Sequence, residues 1–226
     1  MDKINKFFKN KKILITGNTG FIGSWLTIVL LKHGAKITGI SKDTGETNGL
    51  FKILKIKNDI HFKLLDLTHE KKTANFLKGK NFDVIIHLAA EPLVYDGYKS
   101  PNKVIKNNIL STINLFNYIK NKKTFLVNFT TDKVYFNDNK SHKYFTENDI
   151  LYGEDPYSFS KVVTDMMGKM WSHNFKPTKI INVRCGNVIG GADWKQKRLI
   201  PDIIKNHYQK KKLDIRNLNS TRPWVH

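Results

Sequence analysis

The sequence has a single cysteine, Cys185, in 226 residues, which excludes an internal disulfide and any thiolate cluster for a metal ion. No metal site is expected. No apolar run approaches the roughly 20 residues that span a bilayer, so no membrane partner is expected either. Met1 to Lys12 is rich in lysine but lacks the apolar core and cleavage site of a secretory leader, and a cytoplasmic protein is expected. There is no internal repeat, low-complexity tract or evident linker. Acidic residues are few, 19 against 39 basic, giving a net charge of +20. Such a charge invites a nucleic-acid role. The lysines, however, are spread along the whole chain and form no basic stripe with interleaved aromatics, so no nucleic-acid partner is expected. Arginine is scarcest of all. Arg184, Arg198, Arg216 and Arg222 are the only four, all in the last quarter of the chain. Where lysine is the habitual cation, an arginine points to its planar fork, which grips phosphate or carboxylate with paired hydrogen bonds.

What is present is an alternation of short β-branched runs with longer amphipathic stretches, the pattern of a parallel sheet covered by helices. Strands are expected at Lys12 to Thr16, Lys36 to Ile40, Ile60 to Leu65, Val84 to Leu88, Phe125 to Phe129 and Ile180 to Val183. Helices are expected at Phe21 to Lys32, His69 to Leu77, Pro101 to Ile119, Tyr157 to Trp171 and Leu199 to Gln209. This is an α/β chain with a doubly wound parallel sheet of Rossmann type. Such a sheet places its ligand at the carboxyl ends of the strands, and the unusual residues lie there.

The first strand runs into Gly17-Asn18-Thr19-Gly20-Phe21-Ile22-Gly23 and then an apolar helix. Gly17 allows a tight turn, Gly20 lets backbone approach a pyrophosphate, and Gly23 lets helix pack closely on strand. The helix N-terminus supplies free N–H groups and a partial positive charge. Three glycines alone are a weak signal; in this strand–turn–helix context they predict a dinucleotide site. Asp66, after the third strand, is placed to accept a hydrogen bond from an adenine amino group or to cap the following helix. Ser41-Lys42-Asp43 follow the second strand, where a carboxylate selects NAD and a cation selects NADP. Both signs are present, so NAD is expected with NADP not excluded.

Tyr157 and Lys161 stand four residues apart, on one face of a helix. A neighbouring ammonium favours the phenolate and is expected to bring Tyr157 into range for proton transfer. The fifth strand continues into Thr130-Thr131-Asp132-Lys133. Thr131 offers a hydroxyl to a substrate oxygen, and Asp132 and Lys133 set an acid beside a potential base. Oxidation or epimerisation needs only the hydroxyl, Tyr and Lys; eliminating water needs the extra donor and acceptor. The bland alternative is an Asx-type turn with an exposed lysine.

With these residues in place, the chain resembles the CDP-glucose 4,6-dehydratases, extended short-chain dehydrogenase/reductases. The resemblance rests on Gly17 to Leu26, His87-Leu88-Ala89-Ala90, Pro92-Leu93-Val94 and Thr131-Asp132-Lys133. It continues through Gly186 to Gly191, Asp193-Trp194, Arg198 to Asp202, Ile215-Arg216-Asn217 and Arg222-Pro223-Trp224. It implies a dinucleotide site that adds Leu67, Leu88, Ala89, Ala90, Asn108, Tyr157 and Lys161 to the glycine turn and Asp66. It implies that Tyr157 takes the proton of the sugar 4-hydroxyl as hydride leaves C4. Lys133 would then remove the C5 proton if burial and the cofactor's charge lower its pKa, and Asp132 would protonate the departing 6-hydroxyl. Asn187, Arg198, Arg216 and Arg222 would grip the nucleotide diphosphate, and paired helices would make a homodimer or higher homo-oligomer. Glu91 stands where the family usually has Gln, and Tyr95-Asp96 and Thr146 where it usually has arginines or other polar residues. The family also continues well beyond Trp224. The expected organisation is a dinucleotide domain over 1–185 and an incomplete C-terminal substrate-binding portion over 186–226. A sugar-nucleotide 4-epimerase or reductase of the same fold, and a non-catalytic dinucleotide-binding module, remain the alternatives.

Overall fold

A computed structural model of the chain describes residues 2–138, 144–213, 215 and 218–226. Six strands, β1 (Lys12–Thr16), β2 (Lys36–Ser41), β3 (His61–Leu64), β4 (Val84–His87), β5 (Phe125–Phe129) and β6 (Lys179–Val183), form one sheet in the order β3-β2-β1-β4-β5-β6. Every pairing is parallel. The helices are α1 (Asp2–Phe8), α2 (Phe21–Lys32), α3 (Leu50–Ile53), α4 (Glu70–Leu77), α5 (Val94–Lys99), α6 (Pro101–Ile119), α7 (Pro156–Asn174) and α8 (Leu199–Tyr208). A separate parallel pair, β7 (Asn187–Val188) and β8 (Trp224–Val225), joins residues far apart near the end of the chain. The doubly wound sheet expected from the alternation is the one that forms.

Because side chains alternate along a strand, β1 divides its residues between two cores. Leu14 joins Ile40, Ile85, Leu115, Phe116 and Leu126 on one face, while Ile13 and Ile15 join Leu30, Ile37, Val84 and Ile86 on the other. Two-sided burial explains why the central strands read as continuous apolar runs. Local chemistry sets the helix that matters most for the site. Pro156 occupies the first turn of α7, and the Asp155 carboxylate accepts from the N–H groups of Tyr157 at 2.9 Å and Ser158 at 3.0 Å.

Candidate active site

Strand β1 lies between β2 and β4, where the chain reverses direction across the sheet, and a crevice opens beyond their carboxyl ends. Gly17 has φ +73°, and a Cβ there would lie 2.8 Å from the Ala89 nitrogen and 2.9 Å from the Leu88 carbonyl carbon. At Gly23 a Cβ would lie 2.2 Å from the Gly17 oxygen, so α2 packs directly on its own leading turn. Gly20 differs. Its Cβ would meet only the Gly17 oxygen, at 3.3 Å, so a larger side chain would extend into the crevice. The first turn of α2 has no side-chain cap and no acidic residue. Its N–H groups and the positive end of its dipole are left for an anion.

The crevice has a volume of about 520 Å³, within the range of small-molecule sites. Gly17, Thr19, Gly20, Phe21, Ile22 and Gly23 line it, with Asp66, Leu67, Leu88, Ala89, Ala90 and Asn108, all of them expected cofactor residues. Asp66 does not cap α4, which begins at Glu70 with His69 as its cap. Its Oδ1 accepts from the Thr68 N–H at 2.9 Å and hydroxyl at 2.8 Å. Burial works to raise its pKa, but the Thr68 hydrogen bonds and the charges of His69 and Lys42 win and hold it below the ordinary value. Ser41 is committed to the loop, accepting from Thr19 N–H at 3.2 Å and donating to Asn18 Oδ1 at 3.0 Å. Lys42 is ion-paired with Glu91 across the crevice.

Residues 192–195 and Arg198 form a roof. Trp25 Nε1 donates to the Gly191 carbonyl at 2.9 Å on one side, and Lys195 pairs with Glu46 at 3.4 Å on the other. The roof was foreshadowed by the Asp193-Trp194 match and by Arg198; its pins had no signal in the sequence.

Below the wall formed by Leu88 to Ala90 lies a buried histidine. His87 Nδ1 is 2.7 Å from Thr16 Oγ1, and Nε2 is 3.1 Å from Thr112 Oγ1. The Thr112 hydroxyl donates to the Asn108 carbonyl at 2.8 Å, which leaves Nε2–H as the donor to Thr112. Burial pulls the His87 pKa down to about 3, so the ring is neutral. Thr16 Oγ1 in turn accepts from Ala89 N–H at 3.2 Å, and Asn108 Nδ2 donates to Ser160 Oγ at 2.9 Å. An uncharged hydrogen-bond chain therefore ties the crevice wall to α7.

The expected catalytic residues gather beside the crevice, at the end of β5 and the start of α7, but do not line it. Asp132 to Val134 form a single 3₁₀ turn, in which Thr131 Oγ1 donates to Asp132 Oδ1 at 3.0 Å and accepts from Lys133 N–H at 3.4 Å. The Thr131 hydroxyl also lies by the Tyr157 phenol, where it acts to lower the phenol's pKa. Tyr157 and Lys161 are both buried. The lysine does not lower the phenol as its spacing suggested. Burial dominates and pushes the Tyr157 pKa up to about 12, with Asp132 and Asp155 adding to the rise while Thr131 and Arg198 oppose it. Lys161 donates to the Phe129 carbonyl at 2.9 Å, and burial brings its own pKa down to about 8. Desolvation is the largest cause at both residues.

The arginines divide in role. Arg184 uses its fork on a protein carboxylate: Nε and Nη2 each donate to Asp165 at 2.9 Å, and Nη1 reaches the Tyr135 hydroxyl at 3.1 Å. Arg198 lines the crevice and donates to Asp193 at 2.8 Å. Arg222 is exposed, and Asn187 pairs through its backbone with Pro223 at 2.8 Å; neither lines the crevice. Arg216 lies outside the described residues.

Against this geometry, the sequence profile of the NAD dependent epimerase/dehydratase family matches residues 13–226. The chain belongs to that family. It is similar to the CDP-glucose 4,6-dehydratase of Salmonella typhimurium, 34% identical over 97% of this chain, and spans 64% of that relative's length. Among solved structures it superposes on the dTDP-glucose 4,6-dehydratase of Bacillus anthracis in complex with NAD. There the TM-score is 0.81 and the identity 26%, over 96% of this chain and 67% of the other. The UDP-glucose 4-epimerase of Thermotoga maritima gives a TM-score of 0.84 at 19% identity, over 95% and 69% of the two chains, a likeness of fold.

Proposed function

We propose that the chain carries the dinucleotide site and the reacting groups of a sugar-nucleotide 4,6-dehydratase, acting on CDP-glucose or a related nucleoside-diphosphate hexose with bound NAD. The observation that carries this reading is the Thr131-Asp132-Lys133 turn, whose threonine hydroxyl lies by the Tyr157 phenol beside the crevice and acts to lower its pKa. The likeness to two 4,6-dehydratases, one of them solved with NAD, supports it. So does the uncapped start of α2 facing an open glycine, which suits a pyrophosphate.

When bound, the dinucleotide supplies a positively charged ring that accepts hydride from the sugar C4 and later returns it to C6. The protein's own groups move the protons. Tyr157 takes the proton of the 4-hydroxyl, with Thr131 orienting the oxygen. Lys133 removes the C5 proton, made acidic by the neighbouring ketone, Asp132 protonates the 6-hydroxyl as water departs, and Lys133 returns its proton to C5 as the 6-deoxy product forms. An acid and a base on adjacent residues are what elimination requires and epimerisation does not.

The test is turnover of CDP-glucose with NAD, followed by mass spectrometry for loss of one water, in the unmodified chain, Asp132→Asn and Lys133→Met. Both variants should still generate reduced cofactor but form 4-keto-6-deoxy product about a hundred- to ten-thousandfold more slowly. Product at the unmodified rate from either variant, or an epimer of unchanged mass from the unmodified chain, would show the dehydratase reading to be wrong.

A further inference from the structure

The reading of the crevice as a nicotinamide-dinucleotide site leaves open how it distinguishes a 2′-hydroxyl from a 2′-phosphate, and this inference rests on that reading. The group that meets the adenosine ribose stands just after β2, where a carboxylate favours the hydroxyl and a cation the phosphate. Lys42 and Asp43 offer both. The structure commits them. The Lys42 ammonium crosses the crevice to the carboxylate of Glu91, which follows β4 on the opposite wall. Glu91 is held from behind, its Oε1 accepting from Asn107 Nδ2 at 3.2 Å and its backbone N–H donating to Asn108 Oδ1 at 2.7 Å. Asp66 also lies within the field of Lys42. Asp43 is fixed next to them by Gly45 N–H at 2.9 Å. Lys42 thus faces Glu91 and Asp66, while Lys195, which also lines the crevice, pairs with Glu46.

We propose that Glu91 is a specificity-determining residue for the dinucleotide: by engaging Lys42 it withholds the cation from a 2′-phosphate and makes the crevice select NAD over NADP. A 2′-phosphate carries a charge of about −1.5 to −2 and would have to displace a carboxylate already seated on Lys42, close to two others. A 2′-hydroxyl adds no charge and needs no such exchange. Glu91→Gln keeps the shape and an acceptor for Asn107 while releasing Lys42.

Calorimetric titration with NAD and with NADP tests the assignment in the unmodified chain, Glu91→Gln, Lys42→Ala and the double variant. The unmodified chain should prefer NAD. Glu91→Gln should tighten NADP about tenfold or more, the size of one charge-assisted hydrogen bond, and leave NAD within about threefold. The double variant should lose that gain, because the ammonium that Glu91→Gln releases is then gone. Lys42→Ala, altering a half-exposed side chain, should keep the preference for NAD. An unchanged NADP-to-NAD ratio in Glu91→Gln overturns the inference, as does a gain that survives in the double variant. Equal affinities in the unmodified chain overturn it too and leave the cofactor reading standing. Binding of neither dinucleotide overturns the cofactor reading itself, and this inference with it.

Discussion

Replacing Lys161 with methionine should change how stability depends on pH more informatively than it changes stability itself. Lys161 is 8% exposed, and burial lowers its pKa from 10.5 to about 8 in the folded chain. Between those values the unfolded chain holds a proton that the folded chain has released, so stability rises with pH across the window. The contribution is full above about 10.5 and is lost as pH falls through about 8. A separation of about 2.5 units, at about 1.4 kcal/mol each, sets its size at about 3 kcal/mol. Tyr157 and Tyr118, both raised to about 12, oppose it only above pH 10, where an unfolded phenol ionises before the folded one. Cys185, raised by burial above its ordinary value, opposes it inside the window, but this group and the tyrosines are common to both proteins and drop out of the comparison with Lys161→Met. Methionine also deprives the Phe129 carbonyl of its donor, a loss of about 1–3 kcal/mol that does not vary with pH. Urea unfolding followed by tryptophan fluorescence, run in steps from pH 7 to 10, separates the two effects. The unmodified chain should gain about 2–3 kcal/mol relative to Lys161→Met over that interval. Parallel curves would mean that Lys161 is not desolvated and that the account of the Tyr157–Lys161 pair is wrong.

Two further outcomes are expected. Gly20→Val should abolish dinucleotide binding with little change in melting temperature, because its side chain enters the crevice, whereas Gly23→Ala should lower stability by about 1–3 kcal/mol or more, because its Cβ meets the Gly17 oxygen at 2.2 Å; calorimetry and thermal melts on both proteins separate the effects, and the opposite assignment would refute the cradle geometry. Arg184→Met leaves the buried Asp165 carboxylate unpaired and should cost about 3–5 kcal/mol, while Arg184→Met with Asp165→Leu should recover most of it; equal losses in denaturant melts of the single and double variants would refute a charge-burial origin.

The limits of β1, β5, α2 and α6 were legible residue for residue, because apolar runs buried on both faces, a glycine turn and an initial proline all mark them locally. β7 and β8 were not legible: two residues contain no period, and their pairing joins Asn187 to Trp224. α1 was missed because lysines and asparagines hide the apolar Phe8, which packs against the second core. In the site, the glycine turn could be read because its chemistry lies in consecutive residues. The Lys42–Glu91 pair and the Arg184–Asp165 fork could not, since nothing near either member announces its distant partner. The direction of the Tyr157 shift was misjudged for a different reason. Spacing along a helix reports which charges are neighbours, but how much water they lose depends on everything packed around them.

The roof of the crevice has a consequence for the order in which the protein is made. Trp25 and the Gly191 carbonyl that it holds are 166 residues apart. A chain emerging from its amino terminus completes the glycine turn, the ends of β2 to β4 and the Thr131 turn long before residues 191–198 exist. Until then the crevice is an open trough, and what closes it comes from a much later segment. The pins on that closure are weak, an indole hydrogen bond and an exposed ion pair. A ligand lying in the trough would touch both the earlier and the later of these segments, and so would add a link between them that the weak pins alone do not supply.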